Sequence, residues 1–186
     1  AKRIQALFLD GAMANDLAVE ITNAYDGLLE SEGSPVAVRS SATAEDLPTA
    51  SFAGQQDTYL NVHGHDGLLE AVKKCWASLW TARAITYRLR QGIDPASVSL
   101  AVVVQQLVDA DASGILFTAN PMDGMRDQLL INATWGLGEA IVGGLVTPDT
   151  VIVEKTDGRV LSRETTSKSV MTVRTNDGTE EQVVPS

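Results

Sequence analysis

Apolar residues recur three and four positions apart near the start of the chain. Leu17, Ile21, Ala24 and Leu28 keep that spacing and predict one helix over residues Leu7 to Leu29. Gly33, Ser34 and Pro35 then break the pattern. Val36-Ala37-Val38 reads as a short strand ending at Arg39. From Ser40 to Gly54 small polar residues dominate, with Pro48, which predicts a loop of about fifteen residues. Gln56 to Val62 reads as a second strand and Gly64 to Gly67 as a turn. Leu69, Val72, Trp76, Leu79, Arg83 and Tyr87 then predict a single long helix over Leu68 to Leu89, stopped by Gly92. Trp76 and Trp80, four apart, are expected to anchor that helix on a sheet.

Beyond Pro95 the period changes. Val98 to Val108, Ile115 to Ala119, Leu129 to Ala133 and Thr150 to Glu154 are short runs rich in Val, Ile and Leu. Asp157-Gly158 and Asp177-Gly178 sit between strand candidates, where such pairs signal hairpins. A helix-containing front followed by a mostly antiparallel back is an α+β pattern.

Composition narrows the class. The 186 residues are 44% hydrophobic and 20% charged, enough apolar surface for a packed core. The formal net charge of -10 argues against a nucleic-acid footprint, which needs a basic face. It leaves a small phosphorylated ligand open, since a few local donors build such a site. No apolar run reaches the roughly 20 residues of a membrane span, and Ala1-Lys2-Arg3-Ile4 does not open a signal peptide. The single cysteine, Cys75, fits a reducing, cytoplasmic compartment and reads as a small core filler.

Several segments could carry chemistry. Arg39 leaves an apolar strand and is followed by Ser40, Ser41 and Thr43. A guanidinium offers a fixed fork of donors suited to phosphate oxygens, and the hydroxyls could add more. The bland alternative pairs Arg39 with Glu45 or Asp46. Around Gly54, in Ser51 to Thr58, small residues would let backbone amides approach a phosphate, or form a plain turn. No Gly-Lys-Ser or Gly-Lys-Thr of the Walker type is present. Gln105 and Gln106 interrupt an apolar strand, where Gln105 could supply a hydrogen bond beside a slot for a purine, or mark a polar strand face. Glu139, in a glycine-dense stretch, reads as a turn with a capping glutamate. His63 and His65 read as a solvated turn, and no metal-ligating set is expected.

In combination these segments carry a resemblance. "VAVRSSATAEDLPTASFAGQQDTYLNV", "ASLWTARAITYR", "GILFTANP" and "INATWGLGEAIVGGLVTPD" follow one another in this order. Together they resemble the nucleotide-binding domain shared by phosphoenolpyruvate synthase, pyruvate phosphate dikinase and rifampin phosphotransferase. The resemblance runs from about Ile4 to the end. Within the group, "FTANPMDGMRDQLLINATWGLGEAIVGG" leans toward the rifampin phosphotransferases.

The resemblance implies an ATP-grasp fold, with ATP clamped between two lobes. Residues 1–186 would be a fragment of one ATP-binding domain, with possible lobes over 1–95 and 96–186. It implies cleavage of ATP to AMP and phosphate, with the β-phosphoryl passed through a histidine on a swivelling domain to an acceptor. The acceptor so implied is a rifamycin, the alternative being pyruvate; a non-catalytic nucleotide-binding module is a third reading. The family's phosphate-contacting arginine falls on Arg39, its phosphate loop on Gly54, the following threonine on Thr58 and its glutamine on Gln105. Its nucleotide-contacting lysine falls before Ala1, and its acidic Mg2+ ligands and phosphorylated histidine fall beyond Ser186. The chain alone is therefore expected to be inactive in ATP cleavage.

Overall fold

The computed structural model describes all residues except 30, 32, 43–45, 48–49, 52–56, 95–96, 177 and 186, and only the backbone of 46, 47, 50 and 51. The fold is α+β with antiparallel sheets, in two units, Ala1–Leu107 and Val108–Ser186.

In the first unit the expected single helix over Leu7 to Leu29 is two: α1 (Lys2–Asp10) and α2 (Asn15–Leu28). The interruption begins at Gly11, whose backbone is extended with ψ 141°. A Cβ there would stand 2.5 Å from the Leu7 carbonyl oxygen. The long helix expected over Leu68 to Leu89 is also two, α3 (Gly64–Ser78) and α4 (Ala82–Arg90). Thr81 explains the break. Its backbone is extended and its hydroxyl accepts from the Ala84 N–H at 3.2 Å, which satisfies an orphan donor of the new helix. Gly64 to Gly67, expected as a turn, form the first turn of α3.

α2 and α3 cover one face of a three-stranded sheet ordered β4-β1-β5, and α1 packs on α3. Its strands are β1 (Val36–Ala42), β4 (Thr58–Val62) and β5 (Leu100–Gln106), all antiparallel. Between β1 and β4 lies a two-residue ladder, β2 (Asp46–Leu47) with β3 (Ala50–Ser51). β1 therefore runs through Arg39 to Ala42, where a loop was expected. Val36 and Val38 are fully buried against Leu68, Val72 and Cys75 of α3, with Tyr25 of α2 completing the cluster. Cys75 is thus the core filler its sequence context suggests. A bulge in the β1–β4 pairing coincides with Asn61, at φ 58°. Left-handed backbone is tolerated by asparagine and suits the extra residue of a bulge.

Trp76 packs against this core, as expected. Trp80 falls in the turn between α3 and α4 and packs against a second cluster of Ala42, Leu79 and Val98. Its ring lies 5.3 Å from the Arg88 guanidinium. Arg88 is fully buried, and desolvation lowers its pKa from the ordinary value.

The second unit is a four-stranded antiparallel meander ordered β6-β7-β8-β9: β6 (Ala112–Phe117), β7 (Gln128–Trp135), β8 (Asp149–Glu154) and β9 (Val160–Glu164). A hairpin, β10 (Val170–Arg174) with β11 (Thr179–Val183), follows. The Asp157-Gly158 turn joins β8 to β9; Asp177 lies outside the described residues. Short α5 (Glu139–Val142) begins at Glu139, which accepts from the Thr179 hydroxyl at 3.0 Å. Gly136 permits the closest approach in this unit. Its φ is 69°, and a Cβ would lie 2.3 Å from the Thr172 carbonyl oxygen.

Among the described residues no helix is long and apolar enough to cross a membrane.

Candidate functional site: an open sheet face with unpaired donors

The pleat sorts the residues of the first sheet. Along β1, Val36, Val38, Ser40 and Ala42 point to the helices, and Ala37, Arg39 and Ser41 point away. The register extends this sorting across the sheet. Arg39 is opposite Thr58 on β4 and Val103 on β5; Ala37 is opposite Gln105, and Ser41 is opposite Ala101. One face therefore carries Ala37, Arg39, Ser41, Thr58, Ala101, Val103 and Gln105. Residues directly opposite across antiparallel strands have Cα atoms about 4.5–5.5 Å apart, and a step of two along a strand adds roughly 7 Å. Arg39, Thr58 and Gln105, candidates from three separate segments, share this patch.

Hydrogen bonding follows the same alternation. On the helix side Ser40 donates to the Asp57 carbonyl at 3.1 Å, and Gln106 donates its amide to the Leu28 carbonyl at 2.7 Å. On the outer face the side chains of Arg39, Ser41, Thr58 and Gln105 have no partner among the described residues, and all four are exposed. Asp57, the carboxylate closest to Thr58 in sequence, is engaged by the Tyr59 hydroxyl at 3.3 Å. Tyr59 itself packs on the helix-side core. Burial and the Asp57 charge together push the Tyr59 hydroxyl well above its ordinary pKa. The acid is thus turned away from Arg39. Val103, directly beside Arg39, is 45% exposed and supplies the aliphatic surface of the patch.

Such a face can hold an elongated anion with a flat apolar end. An unquenched guanidinium and two hydroxyls serve the anionic part. An aliphatic side chain and a primary amide serve a ring with hydrogen-bonding edges. Gly54 lies outside the described residues, as do Glu45 and the side chain of Asp46. Val103 and Ala101 received no attention in the sequence, because the apolar run from Leu100 to Val104 gives no sign of which valines face solvent. Only the register separates them.

The histidines stand elsewhere, at the start of α3. His63 bonds the Gly33 carbonyl and the Asn61 side chain, each at 3.0 Å, and His65 pairs with Asp26 of α2 at 2.7 Å. Among the described residues no three His, Cys, Asp or Glu side chains converge as metal ligands.

Residues 1–186 match the family described as pyruvate phosphate dikinase, AMP/ATP-binding domain. A probable phosphoenolpyruvate synthase of Pyrococcus horikoshii is 54% identical over 165 residues, 87% of this chain and 20% of that protein. A rifampicin phosphotransferase of Streptomyces sviceus is 55% identical over 157 residues, 84% of this chain and 18% of that protein. A probable phosphoenolpyruvate synthase of Methanothermobacter thermautotrophicus is 45% identical over 185 residues, 98% of this chain and 27% of that protein. The chain thus spans between 18% and 27% of the length of these relatives. A match over the whole chain, with relatives this similar, makes it a member of the pyruvate phosphate dikinase AMP/ATP-binding domain family.

Proposed function

We propose that this chain is the ATP-binding portion of a dikinase-type phosphotransferase with an ATP-grasp architecture. The enzyme cleaves ATP to AMP and phosphate. It passes the β-phosphoryl through a histidine on a swivelling domain of the same polypeptide to an acceptor, in the cytoplasm. One observation carries the reading: Arg39, Thr58 and Gln105 share a single sheet face with exposed side chains that have no partner among the described residues. Arg39 and Thr58 would hold the polyphosphate, with amides around Gly54, and Gln105 would meet the adenine. The physical task is positioning and charge stabilisation, which is most of what phosphoryl transfer asks of a protein.

Magnesium would neutralise phosphate charge in such a reaction. None of the seven residues that the register places on this face is acidic, so they do not fit a magnesium site.

The acceptor we favour is a rifamycin, supported by the identity to the Streptomyces sviceus rifampicin phosphotransferase. A second reading, with pyruvate as acceptor, has its own support in the similarity to phosphoenolpyruvate synthases. ATP-to-AMP conversion by the full-length protein, with rifampicin or pyruvate supplied separately, distinguishes them. Turnover with pyruvate alone overturns the rifamycin reading. In the same assay Arg39→Ala is expected to lower phosphorylation of the histidine at least tenfold, from lost contacts of roughly 1.5–3 kcal/mol each. An unchanged rate removes Arg39 from the site.

A further inference from the structure

We infer that Ser41 is an additional donor to the distal phosphates of the nucleotide, and that its neighbour Ser40 is not. This rests on the nucleotide reading above and deepens it. In sequence the two serines are hard to tell apart, since both follow Arg39 within two residues. The strand separates them. Ser40 points to the helices and its hydroxyl is committed to the Asp57 carbonyl at 3.1 Å. Ser41 stands on the face of Arg39, exposed, with no side-chain partner among the described residues.

The register also gives the face a direction. Gln105 lies opposite Ala37, Val103 opposite Arg39 and Ala101 opposite Ser41. Moving along β1, the patch runs from an amide, through an aliphatic side chain beside a guanidinium, to a hydroxyl flanked by a methyl group. A base set against Gln105 and Val103 sends its phosphates toward Arg39 and beyond it to Ser41. Ser41 is roughly 7 Å along the strand from Arg39. The arginine side chain spans that distance, so one phosphate group can accept from both. Ala101 contributes only a methyl group opposite Ser41, which is exposed. Ser41 is accordingly a polyphosphate-positioning residue specific for the triphosphate end.

The test measures binding of the β,γ-imido analogue of ATP, and separately of AMP, to the full-length protein by calorimetry. Ser41→Ala is expected to weaken the triphosphate analogue roughly tenfold or more, the size of one lost hydrogen bond to a charged group, with AMP binding unchanged. Ser41→Thr, which keeps the hydroxyl, is expected to restore most of the affinity. Ser40→Ala is expected to bind the analogue as wild type does. Ser41→Val, suited to a strand, serves if the alanine variant does not fold. Wild-type affinity for the analogue in Ser41→Ala overturns the inference, as does equal weakening of AMP and analogue. Arg39→Ala is the control for the underlying reading: if it too binds normally, the nucleotide site lies elsewhere. If Arg39→Ala loses affinity while Ser41→Ala does not, only the role of Ser41 falls.

Discussion

Gln105 and Gln106 are adjacent in β5 and face opposite ways. Gln106 donates its side-chain amide to the Leu28 carbonyl at 2.7 Å and ties the sheet to the end of α2, whereas the Gln105 side chain is exposed and has no partner among the described residues. Two identical side chains, one step apart, thus have separable consequences. Gln106→Ala is expected to destabilise the chain by about 1 kcal/mol, because it leaves a partly buried carbonyl without its donor. Gln105→Ala is expected to change stability by less than about 0.5 kcal/mol and to weaken ATP binding instead. Urea unfolding and ATP titration of both variants check the pair. Equal behaviour in both assays would contradict the assignment.

Gly136 is held in the left-handed region at φ 69°, with the Thr172 carbonyl oxygen where a Cβ would go. The Leu137 N–H donates to that same carbonyl at 2.8 Å. Gly136→Ala is therefore expected to destabilise the second unit by more than about 1 kcal/mol, through backbone strain and a displaced hydrogen bond. Thermal melting followed by tryptophan fluorescence reports it, since Trp135 is the preceding residue. A melting temperature equal to wild type would show that the contact is dispensable.

Asp149 opens β8 and accepts from the Lys168 ammonium and, at 2.9 Å, from the Thr166 N–H. These donors, the lysine first, hold its carboxyl below the usual aspartate range. A carboxyl with a lowered folded pKa contributes stability above its unfolded value, about 4, and loses it as pH falls through the lower folded value. The wild-type chain is expected to lose stability on acidification below about pH 4 more steeply than Lys168→Met. Urea midpoints measured between pH 2 and pH 6 give the comparison. Parallel pH profiles would mean that the pair makes no differential contribution.

Cys75 is fully buried between α3 and β1, and burial pushes its thiol up to about 12, with a smaller push from the Asp57 charge. The thiolate is the reactive form, so an aromatic disulfide reagent at pH 8 is expected to leave the native chain unlabelled. In guanidinium chloride one thiol per chain should react within minutes. Rapid labelling of the native protein would place Cys75 in an accessible site.

The runs rich in Val, Ile and Leu announced β5 to β8 because packing on at least one face demands apolar residues. The helix breaks were harder to read. Apolar spacing continues from α3 into α4, so periodicity alone joins them, and the hydroxyl of Thr81 is the local signal that divides them. At Gly11 the Leu7 carbonyl stands where a Cβ would go, a close approach that only glycine permits and that spacing does not reveal. The end of β1 was missed because Arg39 to Ser41 are all polar and carry no apolar alternation. That same property makes the candidate site. Arg39, Thr58 and Gln105 each stood out singly, by residue type or by resemblance, yet their meeting on one face follows from strand pairing between distant segments. Gly54 falls among residues 52–56, outside the described set.

The bulge at Asn61 has a consequence for how this sheet tolerates change in length. Strands that alternate by two behave as a reading frame. One residue removed between Leu100 and Val104 would turn Gln105 inward, bring Gln106 outward, and bury a polar group while baring a valine. The left-handed step at Asn61 absorbs one such offset on the β4 side, which lets Thr58 meet Arg39 while Val62 still meets Val36. No comparable step interrupts the β1–β5 pairing, where seven consecutive partners run without a shift. Insertions and deletions should therefore be far better accommodated around Leu60 and Asn61 than anywhere along β5.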